Sequence, residues 1–434
     1  MNRKILQLAI PNIVSNVTVP LLGLVDLALM GHMKSEVYIG AIALGGVIFN
    51  FLYWGFSFLR MSTSGFTAQA FGEKNDSESI TILFRALLVA VVAGFLMLAL
   101  QSPIAWLSFK LIGGSPEVEQ LADQYFRIRI WAAPAALSLF VFNGWFLGMQ
   151  NARFPMFIAI LVNIVNILLS VFFVFGLGMK SDGVALGTAL SQYLGLAAAW
   201  LLFSGKYKNL VLYISKKSLL NIDFIVRFFK VNTDIFIRTF CIILVHTFFT
   251  SKSASINDTV LAVNSLLLQF LLFFSFFIDG FAYAGEALVG KYVGARSLKD
   301  LKHVVRLLFY WGTGLALAFT LLYIPGVKPV LRLLTSQEDV IQNALSYLPW
   351  IIALPLASFA SFIWDGIYIG ATSSKAMRNT LLASTFLVFA PAYYFLNPLW
   401  GNHALWLSIL LFSLARGVFQ TLWYKSAILQ NLRN

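Results

Sequence analysis

A lone carboxylate within an apolar stretch is the first group in this chain that could do chemistry. Asp26 follows the apolar run Pro20–Val25, and no basic residue lies within two helical turns of it. On a helix, Asn12, Ser15 and Gly23 share the face of Asp26, which gives a polar stripe. A carboxyl group without a cationic partner in a low-dielectric environment can exchange its proton near neutral pH. The alternative is an aspartate that serves packing alone, but buried acids in membrane spans usually mark ion or proton paths.

Two prolines lie on the same predicted helix as Asp26. Pro11 and Pro20 each remove one backbone hydrogen bond, so each allows a bend. Protonation changes the hydrogen bonds that Asp26 can form. A change in the protonation of Asp26 can therefore switch the helix between straight and bent forms. Prolines are also common in membrane helices, and ordinary composition is therefore the alternative interpretation.

Further polar side chains accompany Asp26 in the first half of the chain. Asn163, Asn166 and Ser170 recur at positions i, i+3 and i+7, which places them on one helical face. Alone, such residues more often hold helices together. Together with Asp26 they predict a polar chamber. Its expected members are Asn143, Asn163, Asn166, Ser170, Thr188 and Gln192.

The second half carries a different set of charges. Asp234 and Arg238 are one helical turn apart, so we expect them to pair with each other. Asp279 lies in the middle of an apolar segment, where Arg60 or an arginine of another segment is its expected partner. Glu286 lies near a predicted helix end, where we expect water to solvate it.

The chain also repeats itself. Phe142–Gly148 recurs 222 positions later as Trp364–Gly370, and Gln69–Lys74 recurs at the same spacing as Lys291–Arg296. One offset at two separate places indicates two copies of one unit, an organisation typical of transporters.

The repeat places Asp365 at the position of Asn143. Two interpretations of Asp365 are equally open. It is either a second cation or proton site, or the partner of a salt bridge.

The composition is that of a membrane protein. Of 434 residues, 59% are hydrophobic and 11% are charged, whereas soluble domains carry about 25% charged residues. The apolar runs are near the ~20 residues that cross the hydrocarbon core. We therefore predict an all-α polytopic membrane protein, with twelve transmembrane helices in two pseudo-symmetric six-helix lobes. The predicted spans are 5–31, 37–71, 80–101, 121–148, 154–177, 183–204, 222–250, 258–290, 303–324, 338–370, 377–396 and 403–424.

Charge distribution predicts the orientation. Most of the 31 Lys and Arg residues fall on one side of the membrane if the N-terminus is cytoplasmic, and both termini are then cytoplasmic. The predicted organisation is an N-lobe at 1–204, a basic cytoplasmic linker at 205–221 and a C-lobe at 222–434. The linker could also contact anionic membrane lipids.

Several other chemistries are disfavoured. Cys241 is the single cysteine, which excludes an internal disulfide, and the four scattered histidines lack metal-ligand spacing. The chain has no GxxxxGK[ST] loop, no HExxH pair and no Gly-x-Ser-x-Gly elbow, so neither ATP hydrolysis nor another enzyme activity is expected. The net charge of +13 follows from membrane orientation, and we expect no nucleic-acid partner and no cofactor.

Four segments carry a family resemblance. They are Leu21–His32, Arg60–Gly72, Asp279–Gly290 and Trp364–Thr372. These segments resemble the MATE (multidrug and toxic compound extrusion) transporters, specifically the DinF-like branch, and the resemblance covers essentially the whole chain. It implies two six-helix lobes in a V shape and export driven by H⁺ or Na⁺.

The resemblance also assigns roles to individual residues. Asp26 matches the aspartate proposed to couple transport to protons, and Pro11 matches the proline linked to bending of the first helix. Ser170 stands where related members commonly carry an acid, so Asp26 would couple alone or Asp365 would contribute from the other lobe. The residues that match the family's hydrogen-bonding and aromatic positions near the aspartate are Asn143, Asn166, Thr188 and Tyr125.

We therefore expect an H⁺-coupled multidrug antiporter of a bacterial or archaeal cytoplasmic membrane. It would export organic, mostly cationic compounds by alternating access, as a monomer. One alternative is a Na⁺-coupled antiporter that uses Asp365 or Asp26. A second is a flippase for a lipid-linked sugar, which would need more Arg and Lys in its cavity than the predicted spans offer. A membrane enzyme is a distant third.

Overall fold

The computed structural model describes the backbone of residues 1–31, 37–113, 115–214, 222–430 and 432, with all side chains except those at 19, 21, 22, 24, 26–31 and 222–225. These residues form helices, and no strand occurs among them. They divide into two compact units. The N-unit is Val14–Val226, and the C-unit is Met1–Ile13 together with Arg227–Asn434.

The helices of the N-unit follow one another through short turns. Asn75 and Ser115 cap the starts of two of them; for example, the Asn75 side chain accepts a hydrogen bond from the Glu78 amide at 3.0 Å. With α1, which begins in the C-unit, they are α1 Asn2–Gly31, α2 Val37–Gly55, α3 Phe58–Gly72, α4 Asp76–Ala99, α5 Gln101–Ile112, α6 Pro116–Arg129, α7 Ala133–Gly148, α8 Arg153–Val171 and α9 Ser181–Tyr207.

The helices of the C-unit are longer. Asn257 caps the start of its second helix by accepting a hydrogen bond from the Val260 amide at 2.7 Å. They are α10 Ile222–Ile256, α11 Asp258–Gly294, α12 Leu298–Leu334, α13 Glu338–Ser346, α14 Leu348–Gly370, α15 Ser374–Ala383, α16 Ala390–Trp400 and α17 Asn402–Tyr424.

One helix lies at the centre of each unit. In the N-unit, α7 packs against α3, α4 and α9, and in the C-unit α14 packs against α11, α12 and α17. Glycines let the central helix approach its neighbour closely. A Cβ atom at Gly144 would collide with the backbone oxygen of Arg60, and one at Gly366 would collide with that of Ala282. These two glycines are 222 positions apart, and so are their two partners, so the repeat in sequence is also a repeat in packing.

Helix ends repeat with the same spacing. Among the described residues other than glycine, four have positive φ, and they form two pairs: Lys74 (57°) with Arg296 (52°), and Gln150 (62°) with Thr372 (50°). Each follows the last turn of a helix. Lys74, for example, donates its amide to Phe71 at 3.2 Å, which is the left-handed helix ending in which backbone amides satisfy the last carbonyl groups.

The predicted all-α polytopic architecture is confirmed. Among the described residues, ten helical segments are long and apolar enough to cross a membrane. The remaining predicted spans, 5–31 and 222–250, fall on α1 and α10, which lie partly outside the described side chains, so the count of twelve stays a prediction. The sequence-based spans omitted α5, a largely exposed helix on which the Lys110 ammonium lies 4.9 Å from the Trp106 ring centroid.

The boundaries of the units differ from those of the predicted lobes. Met1–Ile13 groups with the C-unit because Gly280 leaves space for α1; the Ala9 carbonyl oxygen lies 2.8 Å from where a Cβ atom at Gly280 would stand. The linker at 205–221 stays a prediction, and its first part is helical. Helix continues to Tyr207 and a 3₁₀ turn to Tyr213, whose carbonyl accepts a hydrogen bond from Ser77 at 2.8 Å. Residues 215–221 lie outside the described residues.

Replacement of Gly366 by alanine tests the close approach of α14 to α11. We expect Gly366→Ala to destabilise the protein by about 1–3 kcal/mol, because the new methyl group meets backbone that cannot move aside. Cys241 is the single cysteine and is 4% exposed, so its reaction with a thiol-specific dye during heating reports unfolding.

Gly314→Ala is the matched control, because it adds a methyl group on α12 of the same unit where no atom lies within 4 Å. We expect this control to unfold at or above the wild-type temperature, since alanine favours helix over glycine. Equal unfolding temperatures for the two variants would show that the close approach does not constrain α14.

Candidate functional site

The predicted coupling residue Asp26 lies on α1, whose backbone is helical from Asn2 to Gly31. Its side chain lies outside the described residues, so its predicted hydrogen bonds stay predictions. Pro11 and Pro20 both lie within this continuous helix, Pro11 buried and Pro20 half-buried. Pro11 belongs to the C-unit and Pro20 to the N-unit.

Three predicted members of the polar chamber form one buried network between α8 and α9. The Asn166 side-chain amide donates a hydrogen bond to the Thr188 hydroxyl at 2.9 Å, and the Ser170 hydroxyl donates to Asn166 at 3.5 Å. Asn166 and Ser170 are completely buried, and Thr188 is nearly so. The network therefore lies in the interior of the N-unit, with Asn166 and Ser170 on one face of α8.

Asn163 extends the polar contacts to α1. Its side-chain amide donates a hydrogen bond to the Thr18 backbone carbonyl at 3.0 Å, about two turns before Asp26 along the helix. Asn143 lies on α7, and its side-chain oxygen is buried without a hydrogen-bond partner among the described residues. Gln192 is half-buried on α9. The N-unit therefore offers several amide and hydroxyl groups in its interior.

Tyr125 is completely enclosed between α6 and α2. Its ring lies against Gly45 and, edge to face, 6.4 Å from the Phe49 ring. Its hydroxyl accepts a hydrogen bond from Arg129 at 2.6 Å. The Arg129 guanidinium also lies 4.6 Å from the Phe49 ring centroid. Sequence analysis did not single out Arg129, although its spacing of one turn from Tyr125 could have indicated the pair.

Asp365 of α14 lies in a buried salt-bridge cluster. Arg238 of α10 and Arg416 of α17 both donate to one carboxylate oxygen, Arg416 at 2.7 Å, and Gln420 donates to the other at 2.9 Å. All four residues are 7% exposed or less. A carboxylate with two guanidinium partners has no excess negative charge to attract a cation, so the geometry is that of the salt-bridge alternative.

The expected pair of Asp234 and Arg238 is wrong. Asp234 instead accepts hydrogen bonds from Arg378 at 2.5 Å and from the Ser374 hydroxyl at 2.8 Å, while Arg238 binds Asp365. Although the two residues are one turn apart on α10, each has a better-placed partner on another helix. Sequence analysis did not identify Arg378 or Ser374 as partners, because helix periodicity does not report contacts between helices.

Two further acids lie on α11. Asp279 is half-buried and interacts electrostatically with Arg416. Glu286 is completely buried, so its expected solvation is wrong. The reason is that α11 continues two turns beyond Glu286 to Gly294. In addition, Gly370 of α14 packs against the α11 backbone at Glu286 and Gly290. Among the described residues, no group of three or more His, Cys, Asp or Glu side chains could hold a metal ion.

Comparison with known proteins identifies the family. The profile of the MatE family matches residues 11–172 and 235–394, one match in each copy. The chain belongs to the MatE family. Over 415 residues it is 38% identical to DNA damage-inducible protein F of Escherichia coli (strain K12), which covers 95% of this chain and 89% of that protein. It is also 24% identical to the probable multidrug resistance protein NorM of Thermotoga maritima, covering 88% of this chain and 80% of NorM.

A solved structure shows the same fold. The outward-facing conformation of a multidrug resistance MATE family transporter of the MOP superfamily superposes with a TM-score of 0.89 at 18% identity, covering 99% of this chain and 96% of that one. The resemblance to MATE transporters of the DinF-like branch is therefore confirmed. The protein is a multi-pass membrane transporter of the MatE family.

Neutralisation of Asp365 tests its place in the salt-bridge cluster. We expect Asp365→Asn to destabilise the protein by about 3–5 kcal/mol, because it leaves two buried arginines without their anion. The exposed Asp339→Asn on α13 of the same unit is the matched control and should unfold like wild type. Thermal unfolding of both variants in detergent gives the answer. An Asp365→Asn variant as stable as the control would mean that the arginines do not depend on this carboxylate.

Proposed function

We propose that this protein exports organic, mostly cationic compounds across the cytoplasmic membrane in exchange for protons. The family and the names of two relatives, a multidrug resistance protein and a multidrug resistance transporter, support a drug-like substrate. The observation that carries the proposal is the buried network of Asn166, Ser170 and Thr188. It lies in the unit that contains Asp26, and the hydrogen bond from Asn163 joins the same helix bundle to α1.

The charges of the C-unit favour Asp26 over Asp365 as the coupling group. Asp365 is bound by Arg238 and Arg416, and a proton or Na⁺ would have to displace them. Ser170 cannot titrate. We assign the proton to Asp26, which belongs to the N-unit, since Asp234 of the C-unit also has an arginine partner.

Coupling would proceed through α1. Protonation of Asp26 turns an acceptor of hydrogen bonds into a group that also donates, so the partners it prefers change. Helix α1 can respond by bending at Pro11 or Pro20, where backbone hydrogen bonds are already missing. The changed path of α1 would close the substrate cavity of the N-lobe and expel the substrate outward. Alternating access then returns the empty protein to the inward-facing form. The protein would work as a monomer with both termini in the cytoplasm.

Transport in liposomes tests the proposal. The purified protein is reconstituted with a fluorescent organic cation, and a pH gradient and a Na⁺ gradient are imposed separately. We expect the pH gradient alone to drive transport. Asp26→Asn should abolish this transport, because an amide side chain does not ionise near neutral pH, and should leave the unfolding temperature near that of wild type. The exposed Asp76→Asn of α4 is the control for loss of one acid from the same unit, and it should transport like wild type.

Three other outcomes would contradict the proposal. Undiminished proton-driven transport by Asp26→Asn would exclude Asp26 as the coupling group. Transport driven by Na⁺ alone would identify the Na⁺-coupled alternative. Absence of cation transport under both gradients, by protein that unfolds cooperatively, would favour the flippase alternative.

A further inference from the structure

A cavity of about 580 Å³ opens at one end of the C-unit, and Asp234 and Ser374 form part of its wall. Its walls come from three places in the chain. These are the start of α10 at 227–234, the turn from α14 into α15 at 372–379, and the end of α17 with the following turn at 423–427. The predicted topology places all three on the cytoplasmic side of the membrane.

Positive charge dominates the lining. Arg227, Lys230 and Lys375 contribute three cations, and Asp234 is the one acid among the lining residues that the structure describes. The Asp234 carboxylate is already neutralised by Arg378. Lys230 and Lys375 are exposed, and neither forms a salt bridge with any residue that the structure describes. Among the described residues, the charges of Lys230 and Lys375 therefore have no acid that balances them.

Helix geometry adds hydrogen-bond donors to this charge. The first residues of α15, Ser374 to Ala376, lie in the cavity wall. The first amides of a helix have no partner within the helix and point outward from its start. The preceding residue, Ser373, does not cap them, because its hydroxyl donates to the Ala427 carbonyl at 3.0 Å instead. An oxyanion bound here would accept hydrogen bonds from these amides, while the two lysines neutralise its charge.

One lining residue is of a type that is common at the membrane surface. Trp423 forms part of the wall and is 41% exposed, and tryptophan concentrates where hydrocarbon meets the polar headgroups. An aromatic wall beside cations and the first amides of α15 is suited to a phosphate group attached to a small organic group. The volume is within the range of cavities that bind small molecules.

We propose that this cavity binds a phosphate group, carried either by an anionic lipid headgroup or by a soluble phosphate ester. Lys230 and Lys375 supply the charge, and the start of α15 supplies the amide donors. Bound at this place, the phosphate bridges α10, α15 and α17 of the C-unit. The site lies in the C-unit, whereas Asp26 belongs to the N-unit, and the described lining residues of the cavity do not include the basic segment at 205–221.

Two binding experiments on the full-length protein in neutral detergent separate the two sources. Equilibrium dialysis with radiolabelled glycerol 3-phosphate measures the soluble ester. Native mass spectrometry with mixed micelles of phosphatidylglycerol or phosphatidylcholine measures the lipid headgroup. We expect saturable binding of at least one phosphate probe, with phosphatidylglycerol preferred over phosphatidylcholine in the lipid arm because its headgroup carries net negative charge.

Paired substitutions locate the site. Lys230→Gln with Lys375→Gln should weaken binding about tenfold or more, because two charge-assisted contacts to phosphate are lost. Lys299→Gln with Lys302→Gln is the control; it removes the same charge from two exposed lysines of α12, and it should bind like wild type. Loss of glycerol 3-phosphate binding in the first variant identifies a soluble ester, and loss confined to phosphatidylglycerol identifies a lipid. Equal affinities of the two variants, or no saturable binding to wild type, would overturn the proposal.

Discussion

Each unit depends on one place where two helices touch backbone to backbone. In a membrane, apolar side chains gain little by leaving lipid for protein, so helices associate where small residues allow close van der Waals contact. Gly144 and Gly148 provide this contact between α7 and α3, and Gly366 and Gly370 provide it between α14 and α11. Because α7 and α14 are also the central helices, the remaining helices of each unit pack around a position that these glycines determine.

The same scaffold carries different chemistry in its two copies. The residue that precedes the first of these glycines is Asn143 in the N-unit and Asp365 in the C-unit. The amide oxygen of Asn143 is left without a partner among the described residues, whereas Asp365 is held by Arg238 and Arg416. The N-unit interior therefore has neutral groups that can exchange hydrogen bonds at low cost. The C-unit interior is fixed by charges that would be costly to separate.

Local and periodic features were predictable from the sequence, and contacts between helices were not. The repeat of Gln69–Lys74 as Lys291–Arg296 reappears in the structure as paired helix ends, because a helix ending is encoded by a few adjacent residues. The inward face of α8 was predictable for Asn166 and Ser170 from their spacing. The partner of Arg238 was not, since the nearest acid in sequence, Asp234, binds Arg378 on another helix. Glu286 shows the same limit, because its burial depends on a second helix that crosses it.

The buried cluster of the C-unit has a consequence for the order in which the protein is made. Arg238 is synthesised 127 residues before the carboxylate that neutralises it, and Arg416 follows that carboxylate by another 51. At bacterial and eukaryotic elongation rates of about 5–20 residues per second, Asp365 of α14 is synthesised roughly 6–25 seconds after Arg238 of α10. An unpaired guanidinium within the bilayer carries a free-energy cost, which is lower where the side chain reaches water or headgroups. The final packing of α10 in the C-unit therefore has to follow the synthesis of α14 and α17, because they carry the carboxylate and the second arginine of the cluster.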